Sequence, residues 1–155
     1  MSGRTVYTGG TFDLIHPGHI QLLKACFNMA GPMGHVVVAL NTDDFVERYK
    51  GHRPVMQYNH RAEVLRALRY VDMVIPNQNG EDSKPAILRV GPDIIAIGDD
   101  WAPPRDYMKQ MSFTQEWLDE HKIKLVFVPL LYLATNETGH ELHSSTRLRT
   151  RASGQ

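Results

Sequence analysis

The chain is short of cysteine, of surplus charge, of long apolar runs and of repeats, and each shortage removes a class of protein. One cysteine, Cys26, stands among 155 residues. It can form no internal disulfide, so a packed core must hold the fold, and a reducing, cytoplasmic location is expected. Lys and Arg number 17 and Asp and Glu number 17, giving a formal net charge of zero. A general nucleic-acid binder shows a basic excess, so no nucleic-acid partner is expected, while a local basic pocket for a small anion stays open. No run is apolar for the roughly 18 residues that a membrane span needs, so no membrane partner is expected. The first residues, Met1-Ser2-Gly3-Arg4, lack the charged and apolar regions of a signal peptide. Nothing divides the chain, so residues 1–155 are read as a single domain, with about 150–155 a loose tail.

What is present alternates. Short apolar runs at Thr5–Thr8, His35–Asn41, Asp72–Pro76, Asp93–Gly98 and Lys124–Pro129 read as five strands. Helical spacing of apolar residues separates them. That alternation predicts an α/β fold with a parallel sheet and helices on both faces. Helices are expected over Ile20–Ala30, Asp44–Arg48, Asn59–Tyr70, Ser83–Val90 and Met108–Glu120. The Asp93–Gly98 strand is apolar throughout and so predicted to be central. On the third helix, Arg61 and Arg69 are expected about 80° apart around the axis.

The stretch Gly9-Gly10-Thr11-Phe12-Asp13-Leu14-Ile15-His16-Pro17-Gly18-His19 joins the first strand to the first helix. Such turns hold phosphates, because helix N-terminal N–H groups and the helix dipole favour an anion. Gly9, Gly10 and Gly18 permit close backbone approach, or simply make the turn. Pro17 suits the first helical position, which places His16 at the cap and His19 one turn in on the same face. Both histidines can donate to phosphate oxygens and to charge developing on a leaving group. Their alternatives are a structural cap or half of a metal site; no Cys or carboxylate stands at zinc-ligand spacing. The rule that ligands bind at strand carboxyl ends also selects the loop after Asn41, the Gly98-Asp99-Asp100-Trp101 corner and the segment after Pro129.

These segments together resemble the cytidylyltransferases of the HxGH nucleotidyltransferase superfamily, most of all the bacterial glycerol-3-phosphate cytidylyltransferases. The matching residues are Gly10-Thr11-Phe12-Asp13-Leu14, His16-Pro17-Gly18-His19, Thr42-Asp43, Tyr58 with His60-Arg61, Arg69-Tyr70-Val71-Asp72, Val74-Ile75-Pro76 and Gly98-Asp99-Asp100-Trp101. They come in the family's order and cover residues 5 to 101.

The resemblance implies a Rossmann-like sheet of five parallel strands. It implies transfer of CMP from CTP to a small alcohol phosphate, glycerol 3-phosphate being favoured, with release of pyrophosphate. The attack is direct and in line, so catalysis is positioning and charge stabilisation. Mg²⁺ travels on the triphosphate, with no metal ligand in the chain, and a homodimer is expected. The alternatives are ATP with a sugar phosphate or FMN, CTP with phosphoethanolamine, or a nucleotide-binding regulator weak in catalysis.

On this reading His16, His19, Lys50 and Arg69 are catalytic. Gly10, Thr11, Phe12, Gly18, Asp99, Asp100, Trp101, Ser144, Ser145 and Thr146 bind the nucleotide. Asp13, Arg61, His52 and Arg53 meet the acceptor. Each has a plainer alternative. Asp13 orients a lysine or a metal-bound water, or caps a helix. Lys50, His52 and Arg53 close as a basic loop over substrate, or are solvated. Arg61 and Arg69 grip phosphate, or are helix-surface charges. Asp99 and Asp100 cap a loop, Trp101 fills core, and Ser144 to Thr146 cap a helix. Cys26 is expected to be inert core.

The tail departs from the family's Arg-Thr-x-Gly-Ile-Ser-Thr-Thr-like element. His143 stands where isoleucine is usual, and the segment from Tyr132 to Leu142 is longer and lacks the arginine. Arg147, Arg149 or another loop residue is left to take its place.

Overall fold

The computed structural model describes residues 3–79 and 81–130. Five strands form one parallel sheet: β1 (Thr5–Gly10), β2 (His35–Asn41), β3 (Met73–Asn77), β4 (Ile94–Gly98) and β5 (Lys124–Val128). Their order is β3-β2-β1-β4-β5. The middle strand is β1, and β4 beside it is an interior strand paired on both sides and buried throughout, as the apolar Asp93–Gly98 run predicted. The chain steps outward from β1 to β3, then crosses back to lay β4 on the other side of β1. That reversal is the switch point at which doubly wound sheets bind ligands.

Register opens this point. β1 pairs with β2 along its whole length, from Thr5 opposite His35 to Gly10 opposite Leu40. Its pairing with β4 covers only Val6 opposite Ile94 and Tyr7 opposite Ile95. Beyond Tyr7 the two strands part, and a crevice starts between their carboxyl ends.

Alternate side chains build two cores. Val6, Val36, Val38 and Leu40 face α1 (Pro17–Ala30) and α3 (Tyr58–Ala67), against Leu22, Leu23, Cys26, Ala62 and Leu65. Tyr7, Ala39, Ile95 and Ile97 face the other way, against Ile87, Tyr107, Phe113 and Leu118. Covering both faces is why the strands read as continuous apolar runs. Cys26 is fully buried, and burial pushes its thiol up to about 12, which fits the inert role expected of it.

Helix ends follow local chemistry. Thr42 caps α2 (Asp43–Lys50) by accepting from the Phe45 N–H, Asp43 and Asp44 complement the first turn, and Gly51 ends it at φ 82°. α3 stops at Ala67, where Leu68 turns extended at ψ 134°. Arg69 is therefore not on the helix. Asp72 then accepts from the Val36 N–H at 2.7 Å and fixes the entry of β3 beside β2. α4 covers Lys84–Val90. The helix expected over Met108–Glu120 is broken into α5 (Tyr107–Gln110) and α6 (Gln115–Glu120). Thr114 caps a new helix by accepting from the Trp117 N–H, Ser112 turns left-handed at φ 62°, and the break drives Phe113 into the core. No helix among the described residues is long and apolar enough to cross a membrane.

Candidate active site

The loop from β1 to α1 is tightly determined. Phe12 and Leu14 adopt left-handed backbone at φ 48° and 53°, a conformation that costs a non-glycine residue about 1–2 kcal/mol. Burial of Phe12 and Asp13 holds the loop there. A side chain on Gly10 would put its Cβ 2.9 Å from the Phe12 ring, so the ring folds back over that glycine.

Two residues expected at the acceptor do structural work instead. Asp13 is fully buried and accepts from the backbone N–H groups of Val55 at 2.7 Å and Met56 at 2.9 Å. Arg61 is also fully buried. Its Nε donates to the Met56 carbonyl at 2.8 Å. Its Nη1 donates to the carbonyls of Thr11 at 2.7 Å and Asn41 at 3.0 Å. Its Nη2 donates to Asp43 at 2.6 Å. This one guanidinium ties the phosphate-type loop, the end of β2, the start of α2 and the 53–57 segment. Fully buried in this network and absent from the cleft lining, Arg61 holds backbone where an acceptor contact was expected.

His16 is the N-cap of α1 and Pro17 its first residue. The Gly18 N–H donates to His16 Nδ1 at 3.1 Å. The His16 N–H in turn donates to His19 Nδ1 at 3.2 Å. Both Nδ1 atoms accept, which places each neutral ring's hydrogen on Nε2. The rings stack at 3.8 Å between centroids, inclined by 26°. Burial, helped by neighbouring His16 and opposed by Asp13, pulls the His19 pKa down to about 3. At neutral pH His19 is thus a neutral hydrogen-bond donor with no proton to give away.

Both histidines line a cleft of about 590 Å³ at the switch point, a size suited to a small-molecule ligand. Gly10, Thr11, Phe12 and Gly18 form its floor. Asn41, Phe45, Tyr49, Lys50 and Asn77 form the wall beyond β2, and Asp100, Trp101, Arg105 and Tyr107 form the wall beyond β4. Asn77 Nδ2 donates to Asn41 Oδ1 at 3.0 Å, and Asn41 Nδ2 donates to Thr11 Oγ1 at 3.1 Å. Phe45 and Tyr49 stack at 4.8 Å. A Cβ on Gly98 would meet Asp100 Oδ1 at 2.6 Å and the Leu130 side chain at 2.7 Å, so glycine lets them converge on the end of β4.

Other expected site residues lie elsewhere. Arg69 precedes β3, at the amino end of the sheet and across it from the cleft; its guanidinium rests 5.4 Å from the Tyr70 ring. Expected to be catalytic, Arg69 does not line this chain's cleft. Arg53 is drawn to the acids of α2, 3.1 Å from Asp44 and 3.6 Å from Glu47, and exposed His52 faces the Arg53 carbonyl. Neither of these expected acceptor residues lines the cleft. Asp99 accepts from the Leu130 N–H at 3.2 Å and pins the chain leaving β5, while Asp100 and Trp101 reach the cleft. Ser144, Ser145, Thr146 and the 150–155 tail lie outside the described residues. The sequence pattern missed Asn41, Asn77, Phe45, Tyr49 and Arg105. Asn41 and Asn77 had a signal, since each ends a strand at its carboxyl side.

A glycine-bearing strand-to-helix loop, two histidines at a helix cap and a cleft at the switch point define a Rossmann-like fold with a site suited to a phosphate-bearing small molecule. Comparison with known proteins makes the class definite. The cytidylyltransferase-like family model matches residues 7–151, and the chain belongs to that family, among the nucleotidyltransferases. It is 40% identical over 106 residues to a glycerol-3-phosphate cytidylyltransferase of Bacillus subtilis, covering 68% of this chain and 79% of that one. It is 35% identical over 123 residues to an FAD synthase of Korarchaeum cryptofilum, covering 79% and 75%. The crystal structure of a lipopolysaccharide core biosynthesis protein from Thermoplasma volcanium superposes with a TM-score of 0.64 at 26% identity, covering 83% and 96%.

Proposed function

We propose that the protein transfers CMP from CTP to a small alcohol phosphate, with glycerol 3-phosphate the first candidate. The observation that carries this is the pair of imidazoles whose Nδ1 atoms are occupied by backbone N–H groups. An acceptor phosphate oxygen attacks the α-phosphorus. The bond from that phosphorus to the bridging oxygen breaks, and pyrophosphate leaves with its electrons. No proton need move. The Nε2–H donors of His16 and His19 stabilise charge that grows on the α-phosphate and the bridging oxygen. The head of α1 adds backbone N–H groups and the positive end of its dipole. Lys50 brings a cation from the wall beyond β2 to the acceptor phosphate. Among the described residues no group of three His, Cys, Asp or Glu is placed to hold a metal. On this reading Mg²⁺ enters as part of the triphosphate substrate.

The stacked Phe45–Tyr49 pair favours a second reading with the same chemistry. An aromatic wall suits a flat ring such as that of FMN, and the Korarchaeum relative is an FAD synthase. Pyrophosphate release, followed with CTP or ATP against glycerol 3-phosphate, a sugar phosphate and FMN, separates the two. Turnover with CTP and glycerol 3-phosphate supports the first reading. Turnover only with ATP overturns it, and nucleotide binding without turnover under every pairing marks a regulator.

A further inference from the structure

The Arg105 guanidinium lies 3.6 Å from the centroid of the Trp101 ring, the shortest cation–ring approach among the described residues. Both side chains line the cleft. A guanidinium laid flat on an indole keeps its N–H groups pointing outward in its own plane, ready for two parallel bonds to a phosphate. Asp43, Asp44, Glu47 and Glu81 take the ion pairs of Arg48, Arg53 and Arg61, and none reaches Arg105. Arg105 stands on the β4 wall beside Asp100, while Lys50 stands on the β2 wall. A nucleotidyl transfer brings two phosphate-bearing substrates to one cleft, and among the described residues each wall offers one cation.

We propose that Arg105, held flat by Trp101, binds the β- and γ-phosphates of the nucleoside triphosphate, leaving Lys50 to the acceptor. This rests on the nucleotidyl-transfer reading above. Stacking also covers a face of Trp101 that would otherwise be offered to a base, so Trp101 serves as the platform for the arginine.

The test is calorimetric binding of inorganic pyrophosphate and of CTP and ATP to the full chain and to Arg105→Gln. Losing a charge-assisted bidentate contact is expected to weaken both pyrophosphate and triphosphate about 10- to 100-fold. Arg105→Lys, which keeps the charge and loses the planar fork, is expected to recover less than half of that loss. In a Trp117→Phe background, Trp101 emission should change on adding pyrophosphate, and Arg105→Gln should abolish the change. Equal pyrophosphate affinity in Arg105→Gln and the unaltered chain overturns the proposal, as does a rise in acceptor KM with triphosphate binding unchanged. Arg105-dependent pyrophosphate binding without turnover would uphold this contact and sink the transfer reading. Failure of the unaltered chain to bind either pyrophosphate or triphosphate sinks both.

Discussion

Replacing Arg61 separates a structural hub from a substrate contact. Arg61→Met keeps much of the side-chain volume and removes every donor. Four acceptors are then stranded: the carbonyls of Met56, Thr11 and Asn41 and the Asp43 carboxylate. The Asp43 side chain is only 17% exposed, so its charge stays poorly solvated. Removing one partner of a buried pair costs about 3–5 kcal/mol. Each stranded carbonyl adds about 1–3 kcal/mol where water cannot reach it, and the effects are less than additive in one network. A loss of roughly 5 kcal/mol is therefore expected, against about 5–15 kcal/mol of total stability for a domain of this size. With a urea slope of about 2 kcal/mol per molar, the midpoint should fall by about 2.5 M. Arg61→Lys, which can serve only part of the fan, should lie between. Adding Asp43→Asn to Arg61→Met should recover part of the loss, because it removes a carboxylate left with only the Tyr58 N–H at 3.1 Å and the more distant Arg53 at 3.8 Å. The assay is urea unfolding followed by far-UV circular dichroism. An Arg61→Lys protein with an unshifted midpoint but a large rise in acceptor KM would refute the hub and restore the substrate contact.

Three other outcomes are expected. His19→Ala should lower kcat by roughly 100- to 1,000-fold, the loss of one preorganised donor, with little change in nucleotide affinity measured by calorimetry. The low pKa of His19, about 3 when folded against 6.5 when free, makes the unfolded chain bind more protons between those values. Its share of stability is present above pH 6.5 and is lost toward pH 3 at up to about 1.4 kcal/mol per pH unit; urea midpoints at pH 7 and 5 should show this slope, and His19→Asn should flatten it. Arg69→Ala should leave turnover within about twofold and stability within roughly 0.5 kcal/mol, because an exposed charge on a tyrosine contributes little.

The strands were legible because both sheet faces are covered, and continuous apolar runs such as His35–Asn41 then stand out from their flanks. The cap geometry of His16 was legible for a local reason: Pro17 admits only a few conformations. Arg61 and Asp13 misled, since a charge in a functional-looking stretch gives no sign of whether it points at ligand or at backbone. That depends on segments 18 to 50 residues away, which sequence spacing does not report. Arg69 misled through helix length. The apolar pattern ran on to Tyr70, but Leu68 leaves the helix to feed β3, and tertiary placement overrode periodicity. Arg105 was missed because Ala102-Pro103-Pro104 has no period to set a direction.

The early parting of β1 and β4 also bears on how such a protein can be altered. One wall of the cleft is built by residues 41–50 with Asn77 and the other by residues 98–111, each hung on its own side of β1. The histidine pair belongs to neither wall. On the proposed transfer reading the cleft sets the histidine pair between two exchangeable jaws: swapping one segment for a relative's should change which acceptor is held, and swapping the other which nucleotide, with the chemistry between them kept.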